Sequence, residues 1–260
     1  IVALPLHERG STFRARRIEA AVLGAAIDPW LAVDRFHIAA PTFPPHPHAG
    51  FSALTYVLPE SPGTMRNRDS RGAHLMIPPG ALHWTAAGSG ILHEEIPADA
   101  APVEGLQIFL NLPAARQLDP PRIAHLEPHA VPVVPLGNGS TARVLIGAYG
   151  GMAAPIESTS PATLLDLTLA AFARFDWPGA LQPASFALVE AGHHRAGGEA
   201  IDAGFRVRLR HGQHGHGGGE GLLGHGVAEE VWVGVEQLLV EELDHPLAPF
   251  RPGLGQEGLA

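Results

Sequence analysis

The chain contains neither cysteine nor lysine. The first absence removes disulfides, thiolate metal ligands and cysteine nucleophiles, and suits a reducing compartment. The second removes lysine Schiff bases and acetylation switches, and leaves 17 basic side chains that are all arginine. No apolar run approaches the roughly 20 residues that a membrane-spanning helix needs. Concentrated positive charge is also missing. The net charge is −9 with no basic stripe, which argues against a direct grip on nucleic acid. No charged-then-apolar leader with a cleavage signature appears, so a cytoplasmic location is expected. The sequence begins at Ile1 rather than Met, so this absence carries little weight.

At 260 residues and 45% hydrophobic content, the chain is long enough for one large or two medium domains with a real core. Its 31 Gly and 25 Pro are spread along the sequence rather than gathered in one tail. Punctuation of that kind between short apolar runs predicts many short strands joined by tight turns, and hence an all-β fold. Strands are expected at 18–23, 31–39, 50–58, 65–70, 74–77, 82–85, 91–96 and 104–112. A spacing of about ten residues suits a sandwich or closed barrel. Residues 7–17 read as a solvated polar surface, 113–117 as a short helix, and 119–139 as a crossing segment between domains. The rhythm resumes at 142–148, 163–169, 185–190 and 204–210, which divides the chain into units at 1–130 and 131–260. Residues 211–226 are glycine-dense and read as a mobile loop whose four histidines could bind metal adventitiously. Residues 228–242 could be strand or helix, and the chain after His245 reads as an irregular tail.

Chemistry concentrates in two short stretches, HPH at 46–48 and HEE at 93–95. In an extended chain, residues two apart share a face. His46 and His48 can therefore aim at one point, and so can His93 and Glu95. Side by side, the two strands would gather three imidazoles and a carboxylate, a donor set that favours Fe(II), with Mn, Ni, Cu or Zn possible. Glu94 would face away. A lone H-x-H is weak evidence among 16 histidines, and the second pair is what gives it weight. His83 reads as a structural histidine in preference to a pocket residue, and Trp84 as core. His193 and His194, being adjacent, would point to opposite faces of a strand and could not chelate together.

The segments DPWLAVDRF, FPPHPHAGFSALTYVL, DSRGAHLMIPPGALHWTAAGSGILHEEIP and GLQIFLNLP, followed by DPPRI, closely resemble the pirin family of the cupin superfamily. The resemblance runs in order from about 28 to 123 and fades beyond about 145. It implies a bicupin: two antiparallel jelly-roll β-barrels packed face to face, with one non-haem metal, usually iron, in the N-terminal barrel. It carries the metal ligands onto His46, His48, His93 and Glu95. Four departures stand out: Ala49 where the family usually has Arg, Ser52 for Glu, Ala81 for Asp and His83 for Gln. The resemblance places the first two near the pocket mouth, and the usual C-terminal ending is not evident after Leu247.

Four protein ligands leave one or two positions open on a five- or six-coordinate iron. The resemblance implies chemistry of the quercetin 2,3-dioxygenase type on a flavonol or similar small aromatic substrate. Glu95 would take the hydroxyl proton, and apolar groups such as Phe36, Phe51 and Phe109 would line the pocket. The alternative is a non-catalytic, metal-dependent redox sensor that binds a protein partner. A third possibility is a cupin with a metal site acting on an unrelated small molecule.

Overall fold

A computed structural model of the chain describes residues 2–23, 27–170, 175, 186–190, 205–212 and 239–242. In chain order the strands of the first half are β1 (Val2–Ala3), β2 (Leu6–Arg9), β3 (Phe13–Glu19), β4 (Trp30–Ile38), β5 (His46–His48), β6 (Phe51–Val57), β7 (Met65–Asp69), β8 (His74–Ile77), β9 (Leu82–Ala86), β10 (Ile91–Pro97), β11 (Val103–Asn111) and β12 (Arg122–Leu126). The second half adds β13 (Val133–Gly137), β14 (Ser140–Ile146), β15 (Ala148–Tyr149), β16 (Met152–Ala153), β17 (Ala162–Leu169), β18 (Phe186–Glu190), β19 (Phe205–Gly212) and β20 (Leu239–Glu242). Helix is confined to one α-turn, Ala20–Leu23, and to 3-10 turns at Ala114–Arg116 and Pro128–Ala130 among the described residues. The fold is all-β, as the Gly and Pro punctuation predicts.

Three main sheets build it. A seven-stranded sheet runs β12-β9-β6-β11-β4-β3-β2, a four-stranded sheet β5-β10-β7-β8, and a second seven-stranded sheet β1-β20-β18-β19-β17-β14-β13. Alternation along the central strands decides what each face of the first sheet meets. In β6, Leu54 and Tyr56 point to one side and Thr55 and Val57 to the other. In β11, Leu106, Ile108 and Leu110 join the first side, while Val103 and Phe109 face the second. The first side packs against the second seven-stranded sheet, and its core includes Leu145, Ile146, Leu164 and Leu188. The other side packs against the four-stranded sheet through Phe36, Ile38, Met65 and Ile77. One end of this second interface holds the polar residues described below.

Two glycines shape that end. Gly50 adopts φ +77 in the turn joining β5 to β6, a conformation that favours a residue without Cβ and folds His48 back beside Phe51. At Gly105 a Cβ would lie 2.6 Å from both the Phe36 ring and the Tyr56 carbonyl, so glycine makes room for the neighbouring strands β4 and β6 of the same sheet.

Several expectations need correction. Residues 7–17 are not merely solvated surface: most of them form β2 and β3, because Phe13, Ala15 and Ile18 alternate into the two cores. The strand expected at 18–23 stops at Glu19 and gives way to the helical turn. Within 119–139, β12 pairs with β9 and extends the first sheet, so that segment is more than a crossing. His211 and Gly212 close β19 rather than open a loop. The rest of the 211–226 stretch, His193, His194, residues 228–238 and the chain after His245 lie outside the described residues. No helix among the described residues is long and apolar enough to cross a membrane.

Candidate metal centre

Strands β5 and β10 run antiparallel, with His46 opposite His93 and His48 opposite Ile91. Facing pairs share a side of a sheet, so His46, His48 and His93 turn to the same face. One ring nitrogen from each lies within 4.8 Å of the others. The three rings pack edge to face, with centroids 4.7 to 4.8 Å apart. His46 donates its Nδ1 hydrogen to the Pro44 carbonyl at 3.0 Å, which leaves Nε2 with its lone pair directed inward. The Nε2 atoms of His48 and His93 stand 2.9 Å apart. Two nitrogens bound at right angles to one ion, at about 2.1 Å each, would be separated by roughly 3.0 Å. Burial pushes His48 down to about 4, with help from His46. Burial, then His48 and His46, pushes His93 down to about 3. All these effects favour neutral imidazole, the form that ligates. The triad can hold a metal ion.

Glu95 follows two residues after His93 on the same face and is 9% exposed. Its carboxylate is not part of the 4.8 Å cluster, though it lines the same cavity. Thr55, reaching across from the first sheet, stands 2.6 Å from Glu95 Oε2 and 3.0 Å from Gln107 Oε1. The Gln107 amide nitrogen donates to the Leu54 carbonyl at 3.2 Å, so its oxygen must face Thr55. A hydroxyl has one hydrogen. Thr55 can therefore donate to only one of the two oxygens at a time, Glu95 Oε2 or Gln107 Oε1. Burial drives the Glu95 carboxyl up to about 7, against the opposing pull of the hydrogen bond it accepts from Thr55. Glu95 Oε1 is buried and has no hydrogen-bond partner among the described residues. Such an orphaned acceptor facing a histidine triad fits a bound cation.

The cavity before these residues has a volume of about 260 Å³. Its walls are largely apolar, with Phe13, Phe36, Phe43 and Phe109 prominent. Charge enters through Arg9, Arg17 and Asp34. Arg17 donates from Nε and Nη2 to the two oxygens of Asp34, each at 2.7 Å.

The four expected site residues thus border one cavity, with three clustered and Glu95 set slightly apart. Glu94 turns outward and pairs with Arg68, as alternation requires. Phe36 and Phe109 line the cavity, whereas Phe51 supports the wall by packing on His48 and Phe109. Neither Ala49 nor Ser52 borders the cavity, contrary to the expectation that both lie at its mouth. Ser52 points to the opposite face of β6 and contacts the Thr159 hydroxyl at 3.1 Å. His83 is buried outside the cavity lining, with Nε2 3.4 Å from the Thr85 hydroxyl, and Trp84 belongs to the core. Thr55, Gln107 and Arg9 were not foreseen. Extending the alternation from Phe51 to Thr55, and pairing that strand with the one that follows HEE, would have found the first two.

The family model for pirin matches residues 14–110. A pirin-like protein of Caulobacter vibrioides is 32% identical over 202 residues, covering 75% of this chain and 72% of that protein. A pirin-like protein of Arabidopsis thaliana is 33% identical over 175 residues, or 65% of this chain, and the chain spans only 55% of that relative's length. Among solved structures, a quercetin 2,3-dioxygenase from Acinetobacter baumannii is similar with a TM-score of 0.61 at 25% identity, over 80% of this chain and 77% of that one.

Proposed function

The chain belongs to the pirin family, and from that premise we propose that it is a mononuclear non-haem iron dioxygenase of the quercetin 2,3-dioxygenase type. Its substrate is a flavonol or a similar small aromatic molecule. The single observation that carries this reading is the convergence of His46, His48 and His93 at one end of an aromatic-walled cavity that also holds Glu95.

His46, His48 and His93 would hold the ion, with Glu95 as fourth ligand or as base. When bound, iron supplies Lewis acidity and dioxygen activation. The chain's own residues do the rest. Phe36 and Phe109 flank the ring of the substrate and keep water from it. Glu95, its Oε2 fixed by Thr55, presents Oε1 to the hydroxyl of a bound flavonol and takes its proton. A carboxyl near 7 is poised for that transfer at neutral pH. The two seven-stranded sheets correspond, in this reading, to the two halves of a bicupin whose metal sits in the N-terminal half.

The test is aerobic incubation of iron-loaded protein with quercetin. Loss of the flavonol absorbance with release of carbon monoxide is expected, and His48→Ala should lower the rate at least about 100-fold. Absence of turnover with iron and with each of manganese, nickel, copper and zinc, or full turnover in His48→Ala, contradicts the reading.

A further inference from the structure

We propose that the cavity selects an anionic aromatic molecule, whose ring lies between the phenylalanine walls while its carboxylate meets Arg9 at the mouth. The inference rests on the site being a small-molecule pocket of the kind just described and names the chemical class it takes.

Four charged side chains line the cavity: Arg9, Arg17, Asp34 and Glu95. Arg17 and Asp34 neutralise each other through two parallel hydrogen bonds. Glu95 is engaged by Thr55 at the deep end. Arg9 is different. It is exposed, and it has no carboxylate partner among the described residues. Its guanidinium lies 4.9 Å over the ring of Phe43.

That position over the ring matters for recognition. A guanidinium held over an aromatic ring is steadied there, and its N–H groups form a fork matched to a carboxylate. The platform is itself fixed. Phe13 packs edge-on against Phe43 at 4.9 Å. Arg9 and Phe13 are direct partners in the β2–β3 pairing, so the sheet sets their separation. Phe43 lies three residues before His46, which ties the cation to the segment that carries the triad. The cavity thus offers oxygen-binding donors at its deep end, apolar walls between, and at the mouth a cation without a carboxylate partner among the described residues. A molecule with a metal-binding hydroxyl at one end and a carboxylate at the other complements all three. A neutral flavonol would fill the walls and leave Arg9 unused.

The experiment compares two ligands on anaerobic, iron-loaded protein by calorimetry: 3-hydroxyflavone and its 4′-carboxylate. The carboxylate should bind about tenfold more tightly, with a preference that shrinks as salt rises. In Arg9→Gln the preference should fall below about twofold while 3-hydroxyflavone affinity stays within about twofold of wild type. Arg9→Lys should keep part of the preference, because it keeps the charge without the fork. Loosening of the Phe43 wall would weaken both ligands alike and leave their ratio unchanged. Equal affinities in the wild type, or an undiminished preference in Arg9→Gln, overturn the proposal. A preference without turnover in air leaves this inference standing and removes the oxygenase reading. Turnover of 3-hydroxyflavone with no preference does the reverse.

Discussion

Thr55 has one proton and two acceptors, and that shortage defines the chemistry at the deep end of the cavity. Removing the hydroxyl in Thr55→Val frees Glu95 Oε2 from its only hydrogen-bond partner among the described residues. Iron affinity or quercetin turnover is expected to fall about 10- to 100-fold, with stability changed by no more than about 1 kcal/mol. Calorimetric iron titration beside thermal melting separates the two effects. At the other end of the same sheet, Glu104 is held down to about 2, chiefly by its hydrogen bond from His37, then by Arg35. The Arg35 contact measures 2.7 Å. A carboxylate whose folded value lies below its unfolded one stabilises the fold above the unfolded value and loses that contribution as pH falls. Glu104→Gln should therefore cost about 1 kcal/mol at neutral pH, after allowance for solvent screening. The deficit should shrink between pH 4.5 and 2. Urea unfolding at pH 7 and pH 3 checks both the cost and its sign.

At the scale of elements, period-2 alternation explains both what was legible in the sequence and what was not. HPH and HEE are short enough to be read residue by residue, so the shared face of His46, His48 and His93 and the outward turn of Glu94 followed directly. The same rule places Ser52 on the far side of β6, but a family habit of carrying Glu there suggested the mouth instead. Arg9 and Phe13 were hidden because a run rich in arginine resembles a solvated face. Only the pairing of β2 with β3 shows that one side of it lines a cavity. The strand β12 was missed for a related reason: its proline-rich flanks mimic a linker. Gly105 offers a test of the strand packing around β11. Gly105→Ala puts a methyl group 2.6 Å from the Tyr56 carbonyl and from Phe36, so stability should drop by about 1–3 kcal/mol. Chemical denaturation reads that loss. A neutral result would mean that the strands beside Gly105 leave room for a methyl group, contrary to the 2.6 Å contacts.

Across the whole molecule, the first seven-stranded sheet serves two partners. One face meets the small sheet that carries the histidine triad, and the other is buried against the second large sheet. Tyr56 spans that second interface, donating to Asp166 at 2.6 Å while its ring is fully buried. Tyr56→Phe should cost about 1–3 kcal/mol in global stability and leave iron binding intact, because the hydroxyl lies on the side of β6 away from the triad. Anaerobic titration of the chain with Fe(II) reads the metal-holding capacity of that triad. One ion per chain is expected to bind, and binding should be lost when His46, His48 and His93 are all replaced by alanine. Unchanged stoichiometry and affinity in that triple variant would place the metal elsewhere, with the histidines of 211–226 the first to examine, and would contradict the account.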